Sequence, residues 1–408
     1  MTDIQKENKS GGKVPNLRFP SFEGEWEVKK LGEISTNKSK KYNPNNETNF
    51  IKCIELEHLS SETGQLLGFV DGSQSGSIKN VFQKGDVLFG KLRPYLKKYY
   101  QPNFDGVCSS EIWVLNGKEI LNDFLYYLIQ TNSFVDLANQ SSGSKMPRAD
   151  WSILENGLFS FPNSEEQQKI ASFLSLIDER IQTQNKILIH LKSLIESLND
   201  SLSEQKIRIN SNFENWKKVR LGDLGYTFTG LSGKTKEDFG NGKRYIQYKQ
   251  IFDSSKIAIE NCGYVNVSEN ENQNSVKYGD IFFTISSETP DEIGMSSVLL
   301  EDVKNVYLNS FCFGFRLNSF NEMIPEFARF LFRSKVVRNE IKKLAQGSTR
   351  YNMSKTELLK LEILLPSIKE QKEISALLSS LDQKIQTEKA ILEQLEMQKK
   401  YLLQQMFV

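Results

Sequence analysis

Two stretches of this chain read almost alike, and the likeness constrains its architecture before any single element is assigned. The first runs Gly143-Ser144-Lys145-Met146-Pro147-Arg148, then an extended stretch to Pro162, then a long segment opening Ser164-Glu165-Glu166-Gln167. The second runs Gly347-Ser348-Thr349-Arg350-Tyr351-Asn352, a similar stretch to Pro366, then Ile368-Lys369-Glu370-Gln371. Ile170 maps to Ile374, a shift of 204, and the same shift carries Leu174 to Leu378, Asp178 to Asp382 and Ile181-Gln182-Thr183 to Ile385-Gln386-Thr387. A chain built as domain and long helix, twice over, suits a target that itself has two halves.

The long segments carry clean heptads. In the first, the core positions are Ile170, Leu174, Ile177, Ile181, Gln184, Leu188, Leu191, Ile195, Leu198 and Leu202. In the second they are Ile374, Leu378, Leu381, Ile385, Glu388, Leu392, Leu395, Lys399 and Leu402. An apolar seam that alternates steps of four and three predicts coiled-coil pairing. Pro162 and Pro366 end the extended segments, Asn163, Ser164 and Ser367 are candidate caps, and Glu165, Glu166 and Glu370 suit a positive helix start. Gln184 and Glu388 break the two seams at equivalent places and are expected to face each other and set register; the competing reading is that both point to solvent at a local irregularity. Heptads alone leave parallel and antiparallel pairing open. Two copies in one chain favour an intramolecular pair, because the tethered partner is at high effective concentration.

The remaining parts, residues 17–163 and 210–366, repeat more loosely. Each opens with a tryptophan and a Leu-Gly-acidic step, Trp26 with Leu31-Gly32-Glu33 and Trp216 with Leu221-Gly222-Asp223. Each has a Gly-Asp turn entering a strand, Gly85-Asp86 and Gly279-Asp280, and a further strand pattern over Glu111–Leu115 and Phe311–Leu317. β-branched and aromatic runs bounded by Gly, Asn and Asp read as strands. The expected fold class is therefore α+β. Two globular domains (17–163 and 210–366) are joined by two long helical segments (164–209 and 367–408), behind a flexible tail at 1–16. The shift drifts from 190 at the tryptophans through 194 at the Gly-Asp turns to 204 at the helices, so insertions fall in the globular parts.

Composition excludes more than it proposes. With 38% hydrophobic and 25% charged residues the chain resembles an ordinary soluble protein. No apolar run approaches the roughly 20 residues of a membrane helix. The start, MTDIQKENKSGGK, has no apolar signal core, so the cytoplasm is the expected compartment. Four scattered cysteines and two histidines offer no metal-ligand spacing and read as packed thiols in a reducing compartment. Gly230-Leu231-Ser232-Gly233-Lys234-Thr235 lacks the leading glycine of a phosphate loop, since Phe228 stands there. No dinucleotide fingerprint and no amino-methyltransferase signature occurs; Tyr42-Asn43-Pro44-Asn45 is the nearest string to the latter.

The net charge of +1 requires any positive surface to be local. Lys91-Leu92-Arg93-Pro94-Tyr95-Leu96-Lys97-Lys98 is basic and aromatic with no acid. The two Gly-Ser loops supply Ser144, Lys145 and Arg148, and Ser348, Thr349, Arg350, Asn352 and Lys355. Gly242-Lys243-Arg244-Tyr245 is a third patch, and Lys234, in its own loop, and Tyr248 are further candidates. Such residues can hold phosphates through Lys and backbone N–H, and base edges through Arg and Asn. Solvated surface loops are the competing reading of each cluster taken alone.

Taken together, these residues resemble the specificity subunit of type I restriction-modification systems, over nearly the whole chain. The carriers are the repeated P-x(3–4)-EQ-x(2)-I…L-x(2)-[IL]-D-x(2)-I-Q-T at both helix starts, the Gly-Asp strand entry leading to Lys91-Leu92-Arg93-Pro94-Tyr95, and the Gly-Ser basic loops. Thr229-Gly230, Lys234-Thr235 and Tyr245-Ile246 are also typical. The resemblance implies two target-recognition domains, each reading one part of a bipartite double-stranded DNA site, held apart by the paired helices. It implies two modification (methyltransferase) subunits docked on the helices, with S-adenosylmethionine bound by them, and restriction subunits that use ATP. It implies no catalysis and no cofactor in the specificity subunit itself. The departure is Phe283-Thr284-Ile285-Ser286-Ser287, which lacks the basic run of its first-half counterpart.

A helix of about 38 residues spans roughly 57 Å, enough to bridge half-sites about 34–36 Å apart. Methylating both strands requires two methyltransferases related by a two-fold axis. An antiparallel helix pair has that axis and a parallel pair lacks it. Two rival readings remain at this point: a coiled-coil protein adaptor without DNA contact, and a methyltransferase acting alone.

Overall fold

The computed structural model describes residues 14–46, 49–140, 146–209, 214–347 and 350–408. Its contacts form two compact units. One comprises the chain up to Asn185 together with Ala390–Val408, the other Lys186–Lys389. Each unit builds the same frame. In the first, a four-stranded sheet runs in the order Ser35–Thr36, Ile112–Gly117, Val87–Gly90, Tyr99–Tyr100. In the second the order is Gly225–Thr229, Cys312–Leu317, Ile281–Thr284, Ser296–Val298. A two-stranded antiparallel ribbon accompanies each sheet, with Glu27 opposite Phe161 and Lys217 opposite Leu365 at its ends. The Gly-Asp turns are alike as well. Gly85 and Gly279 take φ of +86° and +83°, and the following aspartate accepts a backbone N–H at 2.8 Å, from Gln83 in one unit and Lys277 in the other. The units differ in a further sheet of five strands in the first and three in the second, which is where the sequence shift drifts.

The long helices span Ser164–Ser203 and Ile368–Met406. In the first unit Ile170, Leu174, Ile177 and Ile181 share one core with Leu395, Leu402 and Met406 and with the sheet residues Phe89 and Leu115. In the second unit Leu202 shares a core with Ile374 and Leu378 and with Phe283 and Phe315. The start of one helix thus lies with the end of the other in both units, so the pair is antiparallel. The seam residues near the helix starts lose water both to the partner helix and to the globular core, a gain of about 25 cal/mol per Å² of apolar surface. Gln184 and Glu388 are both buried, and Glu388 accepts an ion pair from Lys384 at 2.5 Å. Lys399, also in the seam, pairs with Asp178 at 2.7 Å.

The shared Glu-Gln of the helix starts ties each helix to its domain. Asn163 and Ser367 cap the helices by accepting the N–H of Glu166 and Glu370. Glu166 and Glu370, each only 1% exposed, take bidentate ion pairs from Arg18 and Arg208. Gln167 accepts the Leu121 N–H and donates to the Pro162 carbonyl, each at 2.8 Å. Gln371 accepts from Ile324 at 3.0 Å and donates to the carbonyls of Glu322 and Pro366. The repeated aspartate about three turns further on is also used twice, Asp178 accepting from Tyr127 and Asp382 from Arg329. We predict that Gln371→Ala, which strands a buried N–H and two carbonyls, destabilises the second unit by about 1–3 kcal/mol. Urea unfolding checks this, and Gln167→Ala should affect the first unit to the same extent.

Candidate nucleic-acid interface

In each unit three loop segments that are distant in sequence lie side by side, joined by backbone hydrogen bonds. In the first, the Lys91 N–H donates to the Glu111 carbonyl at 2.9 Å and the Ala149 N–H donates to the Lys91 carbonyl at 2.8 Å. The Arg93 N–H adds a bond to the Pro147 carbonyl at 2.7 Å, and Leu92 bridges Arg148. In the second, the Ile285 N–H donates to the Phe311 carbonyl at 3.0 Å and the Met353 N–H donates to the Ile285 carbonyl at 2.9 Å. Ser286 and Ser287 pair there with Asn352 and Tyr351. The two platforms have one backbone plan. Lys91 corresponds to Ile285, Glu111 to Phe311, Arg148 to Asn352 and Arg93 to Ser287.

Their side chains are unlike. In the first unit the central segment leaves strand Val87–Gly90 and turns through Arg93 and Lys97, at φ of 52° and 47°. Left-handed backbone at a non-glycine residue costs of order 1–3 kcal/mol, and the turn they bracket leaves Arg93 and Tyr95 exposed. Lys91 and Lys97 are half-buried; Lys98 is half-buried too and its Nζ donates to the Leu56 carbonyl at 2.8 Å. Arg148 is exposed and meets Glu111 at 3.1 Å. In the second unit Ile285, buried Ser287 and exposed Asn352 stand where Lys91, Arg93 and Arg148 stand in the first, with Ser286 and Ser287 paired to Asn352 and Tyr351; Arg350 is exposed. Tyr248 donates to the Ser286 carbonyl at 2.8 Å, and burial raises its pKa. Lys355 is half-buried at the start of helix Lys355–Lys360.

The structure places the other expected residues elsewhere. Lys243 and Arg244 lie on strand Phe239–Ile246 of the three-stranded sheet, whose first four residues are exposed. The Lys234 side chain is 8% exposed and meets Glu271 at 2.6 Å and Asp238 at 3.9 Å. The hydrogen bond from Lys234 is the main cause that lowers the Glu271 carboxyl to about 2. Ser144, Lys145, Ser348 and Thr349 lie outside the described residues. Sequence reasoning missed Glu111 and Phe311 by one position, assigning them to strands that begin at Ile112 and Cys312. The signal that could have found them is the polar pair before each strand, Ser109-Ser110 and Asn309-Ser310.

The four cysteines are buried, and burial pushes the Cys53 and Cys262 thiols up to about 12 and 11. Among the described residues no cluster of His, Cys, Asp and Glu is placed to hold a metal ion, and no helix is long and apolar enough to cross a membrane.

Residues 23–193 and 213–397 each match the family model of the type I restriction modification DNA specificity domain. The chain belongs to this specificity-subunit family. It is 27% identical over 196 residues to the type I restriction enzyme EcoDI specificity subunit of Escherichia coli, covering 47% of this chain and 44% of that protein. The match therefore spans less than half of that relative's length. It is 25% identical over 371 residues to the MjaVIII specificity subunit of Methanocaldococcus jannaschii, covering 87% of this chain and 80% of that one. The fold is shared with the type I system S subunit from M. genitalium, at a TM-score of 0.55 and 17% identity over 97% of this chain and 99% of that one. It is also shared with a chain solved in work on complex assembly and conformational transition of the type I R-M system, at 0.58 and 20% over 93% and 95%. A two-domain specificity subunit with an antiparallel helix pair is thus the common plan.

The ion pairs around Lys234 separate it from Arg93 in a testable way. In a specificity subunit assembled with its modification subunits, Arg93→Gln should reduce the slope of log affinity against log salt by about 0.9, the loss of one phosphate contact. Lys234→Gln should leave that slope unchanged. Fluorescence anisotropy on a duplex at several salt concentrations reads both.

Proposed function

We propose that each unit reads one half of a bipartite double-stranded DNA site and that the helix pair sets the unread spacer. The observation that carries this is the pair of platforms: one backbone plan, with Lys91, Arg93, Glu111 and Arg148 in one unit and Ile285, Ser287, Phe311 and Asn352 in the other. A frame kept constant while its side chains change is what two different half-sites ask of one repeated fold. The chain is the non-catalytic reader of a cytoplasmic complex. S-adenosylmethionine and ATP are bound by partner subunits, modification subunits in the first case and restriction subunits in the second. The net charge of +1 fits a reader whose partners supply much of the phosphate neutralisation.

The helix pair also carries a repeated apolar patch, which supports docking of two copies of one modification subunit. In the first unit Phe173, Leu176, Ile177, Ile391 and Leu395 line a groove of about 610 Å³, with Leu176 and Ile391 58% and 40% exposed. In the second unit Leu377 and Ile187, the counterparts of Phe173 and Ile391, are each 38% exposed. Exposed apolar patches on soluble proteins mark interaction sites. Apolar residues at these two positions in both units suit two copies of one partner, with Ser380 standing in the second unit where Leu176 stands in the first.

Replacing residues 17–163 with the corresponding domain of another specificity subunit should change one half-site only, as read by mapping methylated adenines. A change in both would overturn the modular reading, and no change would favour a protein adaptor. Leu176→Asp together with Ile187→Asp should weaken modification-subunit binding by at least tenfold in titration calorimetry while each unit stays folded.

A further inference from the structure

The platforms hold one position whose chemistry is exchanged outright between units. It sits in a rigid turn. In the second unit the Phe311 N–H donates to Asn309 Oδ1 at 2.8 Å, the Cys312 N–H donates to the Asn309 carbonyl at 3.1 Å, and the Phe311 carbonyl takes the Ile285 N–H. In the first unit the Glu111 N–H donates to Ser109 Oγ at 3.4 Å, the Ile112 N–H donates to the Ser109 carbonyl at 2.9 Å, and the Glu111 carbonyl takes the Lys91 N–H. Every backbone polar group of the turn residue is committed, so only its side chain differs. Phe311 is 60% exposed although its neighbours Cys312 and Phe313 are at most 1% exposed. The fold has no use for a large apolar side chain there.

The facing residue changes with it. In the first unit Glu111 is held by Arg148 Nε at 3.1 Å. In the second, Phe311 and Asn352 border the same short segment, Phe311 bonded through Ile285 and Asn352 paired with Ser286. The chemistry of base edges sorts these pairs. Arginine matches the O6 and N7 acceptors of guanine, and a carboxylate accepts from the N4 amino group of cytosine. Asparagine matches N6 and N7 of adenine, and a phenyl ring packs on the methyl group of thymine. We propose that Glu111 with Arg148 reads one G·C pair in the half-site of the first unit, and that Phe311 with Asn352 reads one A·T pair in the half-site of the second. This deepens the reading of the units as DNA readers and rests on it.

The test uses the complex assembled with its modification subunits and duplexes in which each position of both half-sites is varied through all four base pairs. Phe311→Ala should flatten an A·T preference at one position of the second unit's half-site by roughly fivefold or more, the discrimination of one mismatched pair. The first half-site should be untouched. Glu111→Phe combined with Arg148→Asn should turn a G·C preference into an A·T preference at one position of the first half-site. An unaltered profile in these variants, or an equal loss at every position, overturns the assignment while leaving the units as DNA readers. A wild-type complex without a bipartite preference overturns the reading itself.

Discussion

Ile170, Leu174, Ile177 and Ile181 leave water against two surfaces at once, the partner helix and the globular core of their unit. Ile374 and Leu378 do the same in the other unit. This double burial is the constraint on which the rest depends. A helix pair held only by its own seam could slide by a heptad at modest cost. Here a slide would also pull seam residues out of two domain cores. The Arg18–Glu166 and Arg208–Glu370 ion pairs and the Gln167 and Gln371 bridges add directional contacts at both helix starts. The exposed platform side chains Arg93, Arg148, Phe311 and Asn352 take no part in this burial, so they can change while the frame stays.

Much of this frame is legible in the sequence because it is local or periodic. Heptads, prolines, caps and Gly-Asp turns are written within a few residues of where they act. The antiparallel sense was reachable only through symmetry, since a seam of fours and threes reads the same in both directions. The platforms were not legible. They join Lys91 to Glu111 and Ala149, and Ile285 to Phe311 and Met353, by bonds between segments 20 to 68 residues apart. Their counterparts are offset by three different shifts. Lys234 shows the converse. Its neighbours in sequence are glycine, serine and threonine, which promise a free cation, but Glu271 lies 37 residues downstream.

On the proposed reading, the unlike platforms let one fold hold two specificities without two frames. In the first unit cations and a carboxylate meet the solvent. In the second, an amide and a phenyl ring do so from the same backbone positions, while Ser286 and Ser287 are buried. Such an exchange is open only to positions whose backbone bonds are complete. A side chain that also held the fold together could not be replaced freely.

The division of the two cores between distant parts of the chain bears on the order in which they are made. The second unit uses only Lys186–Lys389, so its last core residue is synthesised before the first unit is complete. The first unit needs Leu395, Leu402, Met406 and Phe407 against Trp26 and Phe124. The domain that leaves the ribosome first therefore closes last. At about 5–20 residues per second, its seam face stands uncovered for roughly twelve to fifty seconds after its own strands have emerged. A chain of this design has to keep an apolar surface soluble for that interval.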